Sequence, residues 1–512
     1  MDQTGIMLVE LRATTVAPML RLAVSLCLIL SVMLMIEKVM MGAVSLFAKI
    51  FRRRPEKIYK CAPIRDDEEI GTSAYPMVLV QVPMYNEKQV YKLSIGAACR
   101  ILWPSDRIII QVLDDSTDPE VKELVRNECE KWLKKGKNIK YETRNNRNGY
   151  KAGALKVGMT YDYVQPCEYV AMFDADFQPS PDFLMRTIPF LVHNPDIALV
   201  QARWKFVNAN ECLMTRMQEM SMDYHFKVEQ ESGSSTVAFF GFNGTAGVWR
   251  IQAINDAGGW QDRTTVEDMD LAVRAGLKAW KFVYVGNVQV KSELPSTFKA
   301  YRYQQHRWSC GPANLFRKML WDVIYAKKVS LWKKFYVIYS FFIARRIVSH
   351  TVTFFFYCVV IPFSVFFPEV EIPKWGMVYL PTTITLLNCV GTPRSIHLVI
   401  FWVLFENVMA LHRCKAVFIG LLEAGRANEW VVTEKLGDLL KSNSAASIAK
   451  RFQSKFWERI NLPELGFAFF LFFCACYDVT FGRDYYHIYI FFQSFAFFVV
   501  GLGYVGTFIS SS

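Results

Sequence analysis

The stretch VAMFDADFQPSPD, residues 170–182, decides how the chain is read. An apolar run over 169–173 stops at Asp174, and Asp176 follows after one residue. Two carboxylates this close repel unless a cation or hydrogen-bond donors sit beside them. Taken alone, the pair fits a metal site, a ligand contact or a polar turn, because Asp also favours turns and N-caps. Its surroundings separate these readings.

Working outward, apolar runs of strand length alternate with helical patterns. MVLVQVP (77–83) is closed by proline, RIIIQVLDDS (107–116) carries a strand to Asp114, and NIKYE (138–142) and EYVAMF (168–173) follow. Helical stretches run over 87–101, over 120–135 with a stop at Gly136, and over 151–161. Strands that are apolar on both faces predict a mostly parallel sheet covered on both sides, an α/β fold. Ligands of such sheets bind beyond the carboxyl ends of the strands. That rule gathers PMYNE (83–87), DDS (114–116) and DAD (174–176) into one predicted site.

Two further clusters lie downstream. In RTTVEDMDLAVRAG (263–276), Thr265 reads as an N-cap with Asp268 three residues later, yet Glu267, Asp268 and Asp270 make the first turns more acidic than a cap requires. In QQHRW (304–308) a helix places Gln304, Arg307 and Trp308 on one face. A cation, an amide and a large ring suit a phosphate and sugar platform. An amphipathic helix at a membrane surface explains the same pattern, and the two roles are compatible.

The chain has 512 residues, 52% of them hydrophobic, and a formal charge of +12. The apolar residues concentrate at the ends. Runs at 16–36, 347–367, 375–391, 397–421, 464–481 and 487–509 approach bilayer-spanning length. The first is too long and begins too far in for a cleavable signal peptide, so it reads as an uncleaved anchor. Arg52, Arg53, Arg54 and Lys57 follow it, and Lys327, Lys328, Lys333 and Lys334 precede the second run. Such basic flanks favour the cytosolic side. No finger or basic aromatic module points to nucleic acid. The twelve cysteines are scattered, without metal-ligand or disulfide-framework spacing. Asn243-Gly244-Thr245 also fits a glycosylation sequon. The Met-rich stretch 213–222 reads as a packed helix.

PxYNE, DDS, DAD, Thr265-Val266-Glu267-Asp268 and Q-x-x-R-W, in this order, resemble the processive family 2 glycosyltransferases over about 76–308. With GYKAGAL, FNGTAGVWR and QQHRWSCGP, the chain most resembles the plant cellulose-synthase-like A group, the glucomannan 4-β-mannosyltransferases. The resemblance implies a GT-A, Rossmann-like catalytic domain facing the cytosol between transmembrane helices. It divides the chain into an anchor and basic linker (1–75), the glycosyltransferase domain (76–330) and a membrane and interface region (331–512).

It also implies roles. Asp268 is the catalytic base. Asp115 is grouped with it and contacts the nucleotide base, with Asp114 beside it. Lys151, Asp174, Gln304 and Arg307 serve the nucleotide sugar. Trp308, Asn243, Gly244 and Glu267 meet the acceptor, so a glycan on Asn243 would obstruct it. Asp174 and Asp176 are the metal candidates, with Asp176 holding Mg²⁺ or Mn²⁺ on the diphosphate. On the residues alone, Lys151 reads as a solvated lysine at a helix start. The implied donor is GDP-mannose, with GDP-glucose a further donor, and the implied product a growing β-1,4-linked mannan or glucomannan of the cell wall. A UDP-glucose-dependent β-1,4-glucan synthase, from the sister group, and a non-enzymatic polysaccharide or lipid transporter are the alternatives. Membrane lipids are expected partners, a homo-oligomer or accessory-protein complex is compatible with the sequence, and the implied location is the Golgi membrane.

EWVVTEKLG (429–437), inside the segment 428–438, resembles the gating loop of cellulose synthases, with Thr433 and Lys435 over the nucleotide. That loop must share the catalytic side, so an even number of crossings separates it from Trp308. The run 397–421, with Glu406, His412, Arg413 and Lys415, is therefore expected to lie flat at the interface. About five spans remain, one before and four after the catalytic domain.

Overall fold

The four strand runs of the sequence become adjacent strands on one side of a seven-stranded sheet. The computed structural model describes residues 10–51, 53–64, 71–423, 459–482 and 485–506. The strands are β1 (Val78–Met84), β2 (Ile108–Asp114), β3 (Ile139–Thr143), β4 (Tyr169–Met172), β5 (Ile197–Phe206), β6 (Gly247–Arg250) and β7 (Lys281–Ser292), in spatial order β3-β2-β1-β4-β6-β5-β7. β1, β2, β3 and β4 pair in parallel, and β6 runs antiparallel to both β4 and β5.

Alternation explains why β1 and β2 are apolar throughout. Val78, Val80, Val82, Ile108, Ile110 and Val112 face one core with Ile95, Val125 and Ile188 of flanking helices. Leu79, Ile109 and Leu113 face the other, with Leu155, Leu271 and Leu315. Successive strand residues point to opposite faces, and both faces are covered. The helices expected between these strands appear at Tyr91–Cys99, Pro119–Lys134 and Tyr150–Gly158. The Met-rich stretch forms the packed helix Leu213–Tyr224.

The helix Glu267–Leu277 differs from its expected start. Val266, not Thr265, stands at its N-cap, with no side-chain cap. Asp268 is thus released from capping, and its Oδ1 accepts only the next amide, Met269 N–H, at 2.7 Å. Asp270 instead anchors the helix. Its fully buried carboxylate accepts from Arg263 Nε at 2.9 Å and Arg274 Nε at 2.8 Å.

The helix Phe298–Tyr325 carries the 304–308 motif and packs along Val399–Leu422. The contact is close enough that a Cβ at Gly420 would lie 2.3 Å from the Cys310 carbonyl. Among the described residues, four helices are long and apolar enough to cross a membrane: Arg12–Ile58, Leu331–Ser364, Pro393–Leu422 and Leu462–Phe481. Tyr486–Gly501 is apolar but shorter.

Two membrane expectations change. The 375–391 run gives one helix, Trp375–Tyr379 continued by Leu380–Cys389, which is not among the four of spanning length. The 397–421 run, expected to lie flat, belongs to a helix of spanning length. Its charges do not force it to the interface, because Arg413 pairs with Glu406 and donates to Tyr301 Oη at 2.9 Å and Gln305 Oε1 at 2.7 Å. A charge satisfied inside the protein need not reach headgroups. By length, two candidate spans, Leu331–Ser364 and Pro393–Leu422, lie in sequence between Trp308 and the 428–438 segment.

Asp270→Ala leaves two arginines without their shared buried partner, a loss worth about 3–5 kcal/mol. Thermal unfolding of the detergent-solubilised protein should show a large drop in Tm for this variant. Glu123→Ala, which removes an exposed pair 3.8 Å across, should leave the Tm unchanged.

Candidate active site

The carboxyl ends of β1, β2 and β4 open into a cleft of about 200 Å³ whose wall includes Asp115, Lys151, Asp174, Asp176, Gly244 and Asp268. Glu267, Gln304, Arg307, Trp308 and Asn243 complete it. The structure thus brings most of the sequence-predicted site residues to one place. Thr433 and Lys435 lie outside the described residues.

The two carboxylates of DDS divide. Asp114 does not line the cleft: its Oδ1 accepts Ser116 N–H and its Oδ2 accepts Tyr141 Oη–H, both at 2.9 Å. Its work is to shape the turn that presents Asp115. Asp115 is held bidentately by Arg144, whose Nε donates to Oδ1 at 2.9 Å while Nη2 reaches Oδ2. Such fork pairing fixes a carboxylate in orientation as well as charge. Asn86 of PMYNE locks the same turn. With φ 53° it accepts from Thr117 N–H at 2.9 Å, and its own amide N–H donates to Ser116 Oγ at 2.8 Å. Arg147 lies 3.3 Å over the Tyr85 ring at the cleft wall.

Lys151 is buried in the cleft, which removes the solvated reading. Its Nζ donates to Asp174 Oδ1 at 2.5 Å and to the Gly244 carbonyl at 2.9 Å. Burial alone would lower its pKa, but Asp174, Glu267 and Asp268 outweigh that and raise it. Asp174 N–H donates to Thr245 Oγ1 at 2.9 Å, which ties the DAD strand end to the FNGTAG loop. Gly244 has φ 77°, and a Cβ there would meet Asp268 Oδ2 at 2.7 Å. Only glycine lets this loop approach the carboxylate so closely.

Glu267, buried, and Asp268, half-buried, share the cleft as an acidic pair. Burial first, and then the Asp268 charge, push the Glu267 carboxyl up to about 8, against the pull of Lys151 and Arg307. Burial also raises Asp268, opposed by Lys151 and the Met269 amide. Gln304, Arg307 and Trp308 reach the same cleft from one helix face, as their spacing predicts.

Asp174 and Asp176 supply hard oxygen donors to the cleft. Asp174 keeps Oδ2 beside the Lys151 bond, and Asp176 Oδ2 lies 3.5 Å from Glu293 N–H. Among the described residues, no three His, Cys, Asp or Glu side chains gather into a self-sufficient cage. One or two carboxylates completed by phosphate oxygens is how Mg²⁺ is usually held, and the pair fits that chemistry.

Sequence reasoning missed Arg144, Arg147, Thr245, His225 and Gln230. Arg144 and Arg147 lie a few residues before the GYKAGAL motif, and a basic cluster facing three acidic strand ends was an available signal. His225 and Gln230 sit in a helix whose pattern reads only as packing.

These features define a nucleotide-sugar-type cleft on a GT-A sheet, and the comparisons agree. The Glycosyl transferase family 2 description matches residues 79–245, and the Glycosyl transferase family group 2 description matches 169–370. Glucomannan 4-beta-mannosyltransferase 1 of Oryza sativa subsp. japonica is 67% identical over 98% of this chain and 97% of its own. Glucomannan 4-beta-mannosyltransferase 9 of Arabidopsis thaliana is 64% identical over 99% of this chain and 95% of its own. The chain belongs to glycosyltransferase family 2, within the group of glucomannan 4-β-mannosyltransferases. A solved mannosyltransferase from Pyrobaculum calidifontis, in complex with GDP-Man and Mn²⁺, is similar at 15% identity. It covers 77% of this chain and 100% of its own at TM-score 0.47, too low to bear on activity.

The raised Glu267 sets a pH dependence. Between the ordinary value of 4.5 and about 8, the folded protein keeps a proton that the unfolded chain has released. Stability therefore falls as pH rises through that window and is lowest above it. Glu267→Gln cannot ionise, so its Tm relative to the parent should climb across the same window. Parallel Tm curves would contradict the assignment.

Proposed function

We propose that this chain is a processive, inverting glycosyltransferase that builds a β-1,4-mannan or glucomannan backbone from GDP-mannose, in the Golgi membrane with its cleft toward the cytosol. The observation that carries processivity is a second cavity, of about 810 Å³. It shares Asn243, Asp268, Gln304 and Trp308 with the cleft and continues between membrane helices past Arg346, Trp402 and Tyr489. A product that leaves the reacting centre along this route stays threaded for the next addition.

Asp268 takes the proton of the acceptor's 4-hydroxyl. The freed electron pair forms the bond to the anomeric carbon as the bond to the nucleoside diphosphate breaks, so an α-donor gives a β-product. A base that is half-buried and raised is a stronger proton acceptor than an exposed carboxylate. Lys151 and Arg307 offset the charge of the departing diphosphate. Asp176, with Asp174 beside it, would hold Mg²⁺ or Mn²⁺, which when bound neutralises phosphate oxygens. Trp308 offers its face to the terminal sugar. Asp115, fixed by Arg144, is turned to the base end of the donor. The three parts, 1–75, 76–330 and 331–512, then act as anchor, transferase and channel region.

Membranes carrying the protein should be given labelled GDP-mannose, GDP-glucose and UDP-glucose separately, with Mg²⁺ or Mn²⁺. Polymer from GDP-mannose that mannan-specific hydrolases digest, and that chelation abolishes, is expected. Polymer from UDP-glucose alone would contradict the reading in favour of a glucan synthase.

A further inference from the structure

The hydrogen bonds behind Asn243 settle which of its amide atoms is left without a protein partner. Gln230 Nε2 lies 3.2 Å from the Gly241 carbonyl, an acceptor only, so that atom is the amide nitrogen. The same nitrogen reaches Asn243 Oδ1 at 3.0 Å, which fixes Asn243 as the acceptor there. His225 Nε2 sits 3.1 Å from the same oxygen and must therefore carry hydrogen. On its other side, His225 Nδ1 is 2.9 Å from Glu229 Oε2.

Burial pulls the Glu229 carboxyl up, but the Lys38 ammonium, 3.4 Å away, and the His225 contact hold it well below the carboxylate range. Glu229 thus grips the ring at Nδ1 while Nε2 faces Asn243, and Lys38 closes the chain behind it. Glu37, in contact with Ser340 and 3.6 Å from Arg345, balances the next pair along the N-terminal helix. With Oδ1 held twice, Asn243 Nδ2 is left buried with no protein partner, in a side chain that lines both cavities.

We propose that His225 is a positioning residue for the acceptor: clamped between Glu229 and Asn243, it holds the Asn243 amide so that Nδ2 donates to a hydroxyl of the acceptor sugar. This rests on the reading of Asn243 as an acceptor contact. Without the His225 clamp the amide keeps only the Gln230 bond and turns over more readily to present oxygen, which cannot donate. The sugar hydroxyl would then face an acceptor where it had a donor.

The test uses the full chain in detergent or nanodiscs, with GDP-mannose and a short β-1,4-manno-oligosaccharide acceptor. His225→Ala should raise the acceptor KM about tenfold, the cost of one hydrogen bond. The GDP-mannose KM should move by less than about twofold, as expected for loss of an acceptor-only contact. The double variant His225→Ala/Asn243→Ala should be no weaker than Asn243→Ala, because His225 acts only through Asn243. Multiplying losses in the double variant would overturn the proposal. So would a donor KM that rises in step, or loss of GDP-mannose binding by His225→Ala, since either marks a merely structural role. If Asn243→Ala leaves the acceptor KM unchanged while His225→Ala raises it, the acceptor reading of Asn243 fails, and the clamp falls with it. That result is distinct from an Asn243 effect that His225 does not share, which overturns the clamp alone.

Discussion

The site depends on one ammonium group. Lys151 Nζ joins Asp174 at the end of β4 to the Gly244 carbonyl, and it faces Glu267 and Asp268. Without a cation at this point, three carboxylates would crowd a buried cleft and repel one another. With it, the strand end, the Tyr150–Gly158 helix and the FNGTAG loop are held in one arrangement. Under the proposed function the same group also compensates the departing diphosphate. Gly244 belongs to this constraint, since any side chain there would push the loop away from Asp268.

A second set of ion pairs joins the membrane part to the catalytic part. Lys38 meets Glu229, and Lys49 meets Glu231 at 3.2 Å, both from the N-terminal helix. Asp223 collects Lys227 at 2.9 Å and Thr392 Oγ1 at 2.9 Å. Buried pairs add little net stability compared with apolar packing, but breaking one costs heavily, so they favour one docking over others. Here they set how the bundle meets the cleft, and the cavity that leaves the cleft depends on that register.

Much of this was legible in the sequence because the parallel strands are buried on both faces and therefore read as unbroken apolar runs. Their carboxyl ends then located Asp115, Asp174 and Asp176 by rule. The short antiparallel β6 was not legible. It holds four residues, Gly247–Arg250, too few for alternation to show, and its place between β4 and β5 is a tertiary outcome. Asp114 and Asp115 look alike in sequence, and only strand direction and Tyr141 separate them. Thr265 resembled a cap because the spacing of a capping box and of an acidic catalytic helix coincide. The 397–421 run reads as interfacial because its charges, counted singly, look costly in a membrane, whereas in this helix of spanning length Arg413 and Glu406 satisfy each other.

Under the proposed function Asp268 accepts the acceptor's proton, while its neighbours bind the donor independently of it. The most direct measurement pairs GDP binding with polymer synthesis for Asp268→Asn, an isosteric change that removes basicity alone. Unchanged GDP affinity with synthesis abolished is the result the account predicts. Normal chain elongation by Asp268→Asn would contradict it.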